Sequence, residues 1–234
     1  MYPGLDITPP FFEIGPKAYL YGDQALALAK HADALSSKYG VDIIFTPQSV
    51  DIRLLAPAMK HVHIFAQHMD ALEMGRGIGS VLPEAVKAAG ATGTLLNHAE
   101  KKLSGETLER TIRRADEVGL GTLVCADNLE ETRAVARLHP NVIIAEDPAL
   151  IGVGKRSAND RDAISTINQA VWETDPKICV LHAAGISSAQ DVYDVIAAGA
   201  QATGSTSGIM RAGDPFGVLE DMIRAVRAAW NDTH

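Results

Sequence analysis

The sequence is poor in the residues that mark several common protein classes. Aromatic residues make up 5% of the chain, and there are two cysteines, Cys125 and Cys179. Two cysteines exclude a disulfide framework and suit a reducing compartment. No run of basic residues occurs, and 21 Lys and Arg stand against 29 Asp and Glu, a formal charge of −8. Such a chain is a poor binder of nucleic acid or of an acidic membrane surface. No stretch approaches the ~18 continuous apolar residues of a membrane span. Residues 1–10 have neither the basic start nor the apolar run of a signal peptide. The expectation is a soluble, cytoplasmic protein without nucleic-acid or membrane partners. Any anionic ligand must be held by a local device, such as a helix N-terminus or a single lysine.

What is present is a 47% hydrophobic fraction over 234 residues, with 20 glycines. That is enough for a packed core in one domain, 1–234, with residues 1–10 as a proline-containing arm that covers one end or hangs loose. Short apolar runs at 11–15, 42–46, 62–66, 93–97, 121–125, 142–146, 178–182 and 202–205 read as strands. Amphipathic stretches between them, including 23–39, 104–118, 129–138, 160–174 and 189–198, read as helices. Gly40, Gly90, Gly119 and Gly199 follow four helical runs, where a left-handed residue is wanted. Eight alternations of strand and helix are the arithmetic of a closed (β/α)8 barrel of the α/β class. An open doubly wound sheet would alternate in the same way. It fits less well, because no G-x-G-x-x-G follows the first strand and the count stops at eight.

In such a barrel the chemistry sits where strands end and the following loops begin. Lys17 follows the first strand, Gln67 and His68 the third, and Asn97, His98 and Glu100 the fourth. Cys125 ends the fifth, and Glu146 ends the sixth before a glycine-containing loop. The seventh leads to Gly185 and Ser187, the eighth to Ser205, Thr206, Ser207 and Gly208. Small residues let backbone N–H groups approach an anion, so these last two turns are a phosphate site or simply tight turns. Singly, Glu146 and His98 have plainer readings as salt-bridged or satisfied polar groups. Together with a mobile-looking loop they make a general base, an electrophile and a lid, with Lys17 as the charge that orients an anion. A base working near neutral pH needs a raised carboxyl pKa, which desolvation supplies. This set fits proton abstraction beside a carbonyl, through an enediolate. A metal would need several converging ligands, for which only His63, His68, His182 and Glu146 offer themselves; the expectation is no metal and no cofactor. Schiff-base chemistry is disfavoured because no lysine ends the sixth strand.

These residues resemble the triosephosphate isomerase family, in its short archaeal-type branch, from about Lys17 to about Pro215. Ile144-Ala145-Glu146-Asp147-Pro148-Ala149-Leu150-Ile151-Gly152-Val153-Gly154 is similar to the catalytic-glutamate and lid segment of that family. Leu96-Asn97-His98-Ala99-Glu100-Lys101-Lys102 resembles its N/G-H-S-E-x-R histidine motif. Phe65-Ala66-Gln67-His68, Val81-Leu82-Pro83-Glu84-Ala85 and Ala184-Gly185-Ile186-Ser187 are further matches. The resemblance implies a TIM barrel and interconversion of glyceraldehyde 3-phosphate and dihydroxyacetone phosphate, in glycolysis and gluconeogenesis. It implies Glu146 as base, His98 as neutral electrophile and Lys17 as electrostatic partner, positioned by Glu100. Phosphate would be held by Gly152, Gly185, Ser187, Ser205, Thr206 and Ser207. Asp147, Pro148, Ala149, Leu150, Ile151, Val153 and Gly154 would form the lid, with Cys125 packed behind the base. A homo-oligomer, dimer or tetramer, is also implied.

The chain departs from the family pattern in several places. Gly15 stands where the family usually has Asn, two positions before the lysine, which removes a polar contact and opens space beside the reacting carbons. The third-loop T-G pair reads Ile78-Gly79, so its polar bond between subunits is absent. The serine after the histidine is Ala99, the seventh-loop G-A-G reads Ala183-Ala184-Gly185, and the lid's G-T-G is Gly152-Val153-Gly154. The room at Gly15 makes a paralogue acting on a longer sugar phosphate, such as a tetrulose phosphate, the alternative. A non-catalytic phosphate-binding barrel is the other, and it leaves the retained Lys17, His98 and Glu146 unexplained.

Overall fold

In a computed structural model describing residues 1–146 and 160–234, eight parallel strands close into a barrel in sequence order. They are β1 (Phe11–Ile14), β2 (Asp42–Phe45), β3 (Val62–Ala66), β4 (Gly93–Leu96), β5 (Gly121–Ala126), β6 (Val142–Ala145), β7 (Cys179–His182) and β8 (Ala202–Ser205). Each lies within about two residues of its expected limits. The longer helices α1 (Gly22–Tyr39), α4 (Gly105–Val118), α5 (Leu129–Ala136), α6 (Asp160–Trp172) and α7 (Ala189–Ala197) also match expectation. Short helices α2 (Ile52–Leu55), α3 (Pro83–Ala88) and α8 (Ser207–Met210), and the long C-terminal α9 (Pro215–Thr233), complete the described α-helices. Gly40 and Gly119 close α1 and α4 in the left-handed conformation, at φ 62° and 76°.

Successive side chains on a strand point to opposite faces, and this divides the core in two. Phe11, Ile44, Phe65, Leu123, Ile144 and Leu181 fill the barrel interior, with Leu5 and Ile7 of the N-terminal arm packed against them. Phe12, Ile14, Ile43, Phe45 and Val124 face outward to the helical layer. By the same alternation Glu13 and Thr46, at the upper ends of β1 and β2, point inward.

The arm lies across the strand-start end of the barrel. The Met1 ammonium pairs with Asp116 at 2.8 Å, and Asn141 donates to the Tyr2 carbonyl at 2.8 Å. Thr8 N–H donates to Asp42 at 2.8 Å. The opposite end, where strands finish, is left for the site. Among the described residues no helix is long and apolar enough to cross a membrane.

Candidate active site

A cavity of about 450 Å³ and an adjoining one of about 400 Å³ open at the strand-finish end, sharing Glu13, Lys17, Glu100 and Glu146 in their walls. Glu146 directly follows β6, its N–H bonded to the Ala126 carbonyl at 3.0 Å. Its carboxylate is 14% exposed, and Oε2 stands 3.5 Å from Nε2 of His98, itself 15% exposed. Burial pushes the Glu146 pKa up, while the nearby Lys17 charge pulls it back only in part.

His98 reaches this position through two local devices. Asn97 adopts a left-handed conformation, φ 61°. Its amide donates to the Cys125 carbonyl and to Glu131, each at 2.9 Å, and its oxygen accepts from Leu103 N–H. The ring of His98 then caps a single 3-10 turn, Ala99–Lys101, with Nδ1 accepting the Glu100 N–H at 3.0 Å. With the Nδ1 lone pair engaged, the proton of the neutral ring sits on Nε2, the nitrogen nearest Glu146. Burial lowers the His98 pKa and Lys17 lowers it further, so the ring is held neutral. Lys102, in the last position of the histidine motif, pairs with Asp127 at 2.7 Å and Glu131 at 3.0 Å, tying the β4 loop to the β5 loop.

Lys17 also has a left-handed backbone, φ 48°. The conformation is held from two neighbouring strands: its carbonyl accepts from Gln48 Nε2 at 2.7 Å and from Gln67 Nε2 at 2.9 Å. Its ammonium meets Glu100 Oε1 at 2.7 Å, and that hydrogen bond draws the Glu100 pKa down. Cys125 is buried in the interior cluster, where burial first, then Glu146 and Glu13, raise its thiol pKa.

At the other end of the cavity Gly185, Ser205, Thr206 and Ser207 line the wall, together with Arg211 and Tyr19. Arg211 donates to the Tyr19 hydroxyl at 3.1 Å. Ser205 Oγ donates to the Ile186 carbonyl at 2.9 Å, drawing the two turns together, and a Cβ on Gly208 would meet that oxygen atom at 3.0 Å. Ser187 lies apart from this wall: its N–H and hydroxyl both donate to Asp191, at 2.8 and 2.9 Å. Gly152 and the lid positions Asp147, Pro148, Ala149, Leu150, Ile151, Val153 and Gly154 lie outside the described residues. His68 lines the second cavity with its ring paired to Asp70 at 3.1 Å, and His182 bonds Asn168 on α6 at 2.8 Å.

A Cβ at Gly15 would stand 2.9 Å from Oε1 of Glu13 and 3.2 Å from Oγ1 of Thr206, so Glu13 takes part of the space beside this residue, while Gly15 still lines the cavity of about 400 Å³. Sequence reading passed over Glu13, Gln48, Tyr19 and Arg211. A signal for Glu13 was present, since it is the one charged residue in an otherwise apolar strand and has the inward parity of Phe11.

A (β/α)8 barrel that sets a desolvated carboxylate against a neutral imidazole, with a lysine beside them, is an acid–base catalyst of proton transfer. Residues 15–204 match the family model described as triosephosphate isomerase. The chain is 37% identical over 220 residues to the triosephosphate isomerase of Methanosarcina barkeri, covering 93% of this chain and 99% of the relative. It is 36% identical over 221 residues to that of Sulfurisphaera tokodaii, covering 93% and 95%. Over 225 residues it is 33% identical to that of Saccharolobus solfataricus, covering 95% and 99%. The chain belongs to the triosephosphate isomerase family.

Proposed function

We infer that the protein interconverts dihydroxyacetone phosphate and glyceraldehyde 3-phosphate through an enediolate. The observation that carries this reading is the Glu146–His98 pair, with the imidazole proton directed to Nε2 by the Glu100 N–H. Glu146 takes a proton from one carbon and returns it to the neighbouring one. His98, a neutral donor, stabilises charge growing on the carbonyl oxygen without having to give up a full positive charge. Lys17 draws in the anionic substrate, and Arg211 adds a cation at the end lined by Ser205, Thr206 and Ser207. The reaction is redox-neutral overall and takes no cofactor. Family relatives with this name support the triose as substrate, and Glu13 narrows the space beside Gly15.

The same reading extends to a single barrel domain over 1–234 and a cytoplasmic enzyme of glycolysis and gluconeogenesis. It also extends to assembly as a homo-oligomer, favoured by the exposed Ile78 and Met74. The catalytic assignment is tested by incubating the protein with dihydroxyacetone phosphate in deuterated water. Deuterium is expected at the hydroxyl-bearing carbon, and Glu146→Gln is expected to lower kcat by about 10²–10⁴-fold. Exchange with a four-carbon phosphate alone would move the substrate. Unchanged turnover in Glu146→Gln would remove the base.

A further inference from the structure

Glu13 is a carboxyl group inside the active-site cavity that this mechanism leaves unused. It is 8% exposed and stands in both cavity walls with Lys17 and Glu146. Its slot is made by missing side chains on two sides. A Cβ at Gly15 would lie 2.9 Å from Oε1, and one at Gly204 would lie 3.0 Å from Oε2 and 2.7 Å from the Glu13 carbonyl oxygen. Neither position takes even an alanine without displacing the group. Thr46 Oγ1 donates to Oε1 at 3.0 Å, and no described residue hydrogen-bonds Oε2.

The charges around Glu13 favour a proton on it. Burial raises its pKa, the Thr46 hydrogen bond lowers it, Glu146 raises it and Lys17 lowers it, to a net value of about 7. Cys125 faces the same interior from β5. Around the shared cavities also stand His98, Glu100 and Lys101 from the β4 loop, His68 after β3 and Arg211 after α8. Two carboxyl groups in one desolvated space do not ionise together readily. Glu13, pushed up to about 7, holds its proton up to near neutral pH.

We propose that Glu13 is a second catalytic acid of this site, donating a hydrogen bond from Oε2 to an oxygen on the substrate's reacting carbons. The proposal rests on the isomerase reading above. A neutral O–H facing a developing enediolate makes a strong charge-assisted hydrogen bond. Once ionised, the same group would repel both the enediolate and the phosphate. Turnover therefore needs Glu146 without its proton and Glu13 with one.

The test is the pH dependence of kcat and KM for the wild type, Glu13→Gln and Glu13→Ala. In the wild type kcat/KM is expected to fall above about pH 7, approaching tenfold per pH unit. The fall in kcat should come at higher pH, because bound anion strengthens Glu13's hold on its proton. Glu13→Gln keeps an oxygen for Thr46 and puts an N–H where the acid was. It should lose about tenfold in kcat at pH 6, since an amide is the weaker donor, and lose the alkaline fall entirely. Glu13→Ala should lose roughly 10²-fold in kcat at pH 6 with little change in KM. An alkaline fall that persists unchanged in Glu13→Gln overturns the proposal. A wild type that isomerises no triose phosphate would instead sink the isomerase reading. In that case calorimetric binding of 2-phosphoglycolate, from pH 6 to 9, still reads Glu13: weakening above pH 7 in the wild type but not in Glu13→Gln supports it, and equal behaviour overturns it.

Discussion

A carboxyl group held in a dry slot costs far more stability charged than neutral, so Glu13 couples folding to pH. Its folded pKa of about 7 lies above the ordinary 4.5, which means that between these values the folded chain holds a proton that the unfolded chain has released. The favourable contribution is complete below about pH 4.5 and is lost as pH rises through 7. The full difference is about 3 kcal/mol for the shift from 4.5 to about 7. Glu13→Gln, which cannot ionise, should therefore gain about 3 kcal/mol on the wild type between pH 4.5 and pH 8.5. Urea denaturation of both proteins at the two values checks this, and a constant difference between them would remove the linkage. At this scale Lys17, His98 and Glu146 were legible because each sits at a strand end in a recognisable pattern. Glu13 shows in the sequence only as a charge in an apolar strand, because its role depends on what Gly15, Thr46 and Gly204 leave around it, and β2 and β8 are separated from β1 in sequence. The same holds for Gln48 and Gln67, whose shared grip on the Lys17 carbonyl appears only once β2 and β3 are side by side.

Helix and strand boundaries carry the next level of organisation, and at the β7–α7 junction a helix cap takes up the N–H and hydroxyl of Ser187. Ser188 and Asp191 form a reciprocal capping box at the start of α7. The Asp191 carboxylate also accepts the Ser187 N–H and hydroxyl. Burial works to raise the Asp191 pKa, but the hydrogen bonds from Ser187 and Ser188 outweigh it and hold the group below its ordinary 3.8. Its stabilisation is thus present above that value and is lost as pH falls below it. Asp191→Ala should cost about 1–2 kcal/mol at pH 7 in chemical denaturation, a loss that shrinks in strong acid. An unchanged midpoint at pH 7 would show the cap to be dispensable. The strands were legible as elements because buried parallel strands read as apolar runs, and α1 and α4 because each shows an amphipathic stripe ended by a left-handed glycine. Helices of four to six residues, such as α2, α3 and α8, are too short for a 3.6-residue period to register.

At the scale of the whole molecule, a net charge of −8 coexists with a site for a phosphate ester because the cations are placed rather than numerous. Lys17 and Arg211 stand in the cavity wall, where Glu13, Glu100 and Glu146 also lie. The fold has a second outward feature, the loop between β3 and α3. Its base is closed by Asp70 and Val81, with Asp70 N–H to the Val81 carbonyl at 3.0 Å and Val81 N–H to the Asp70 carboxylate at 2.7 Å. From that base the loop carries Ile78, fully exposed, and Met74, 75% exposed, into solvent. A polar residue at 78 would leave a loop of this kind well hydrated, whereas isoleucine gains by being covered. If a second copy of the chain covers it, burial of that one side chain is worth about 1.5–3 kcal/mol, or roughly 10–100-fold in the dissociation constant. Sedimentation velocity over a range of concentrations should then show the wild type well above its 24.9 kDa chain mass. Ile78→Asp should shift that equilibrium toward the single chain while leaving far-UV circular dichroism unchanged, because Ile78 makes no part of either core cluster. A wild type that sediments at the single-chain mass at every concentration would show that the exposed loop serves no assembly. An Ile78→Asp variant that associates as tightly as the wild type would place the contact on another face of the barrel.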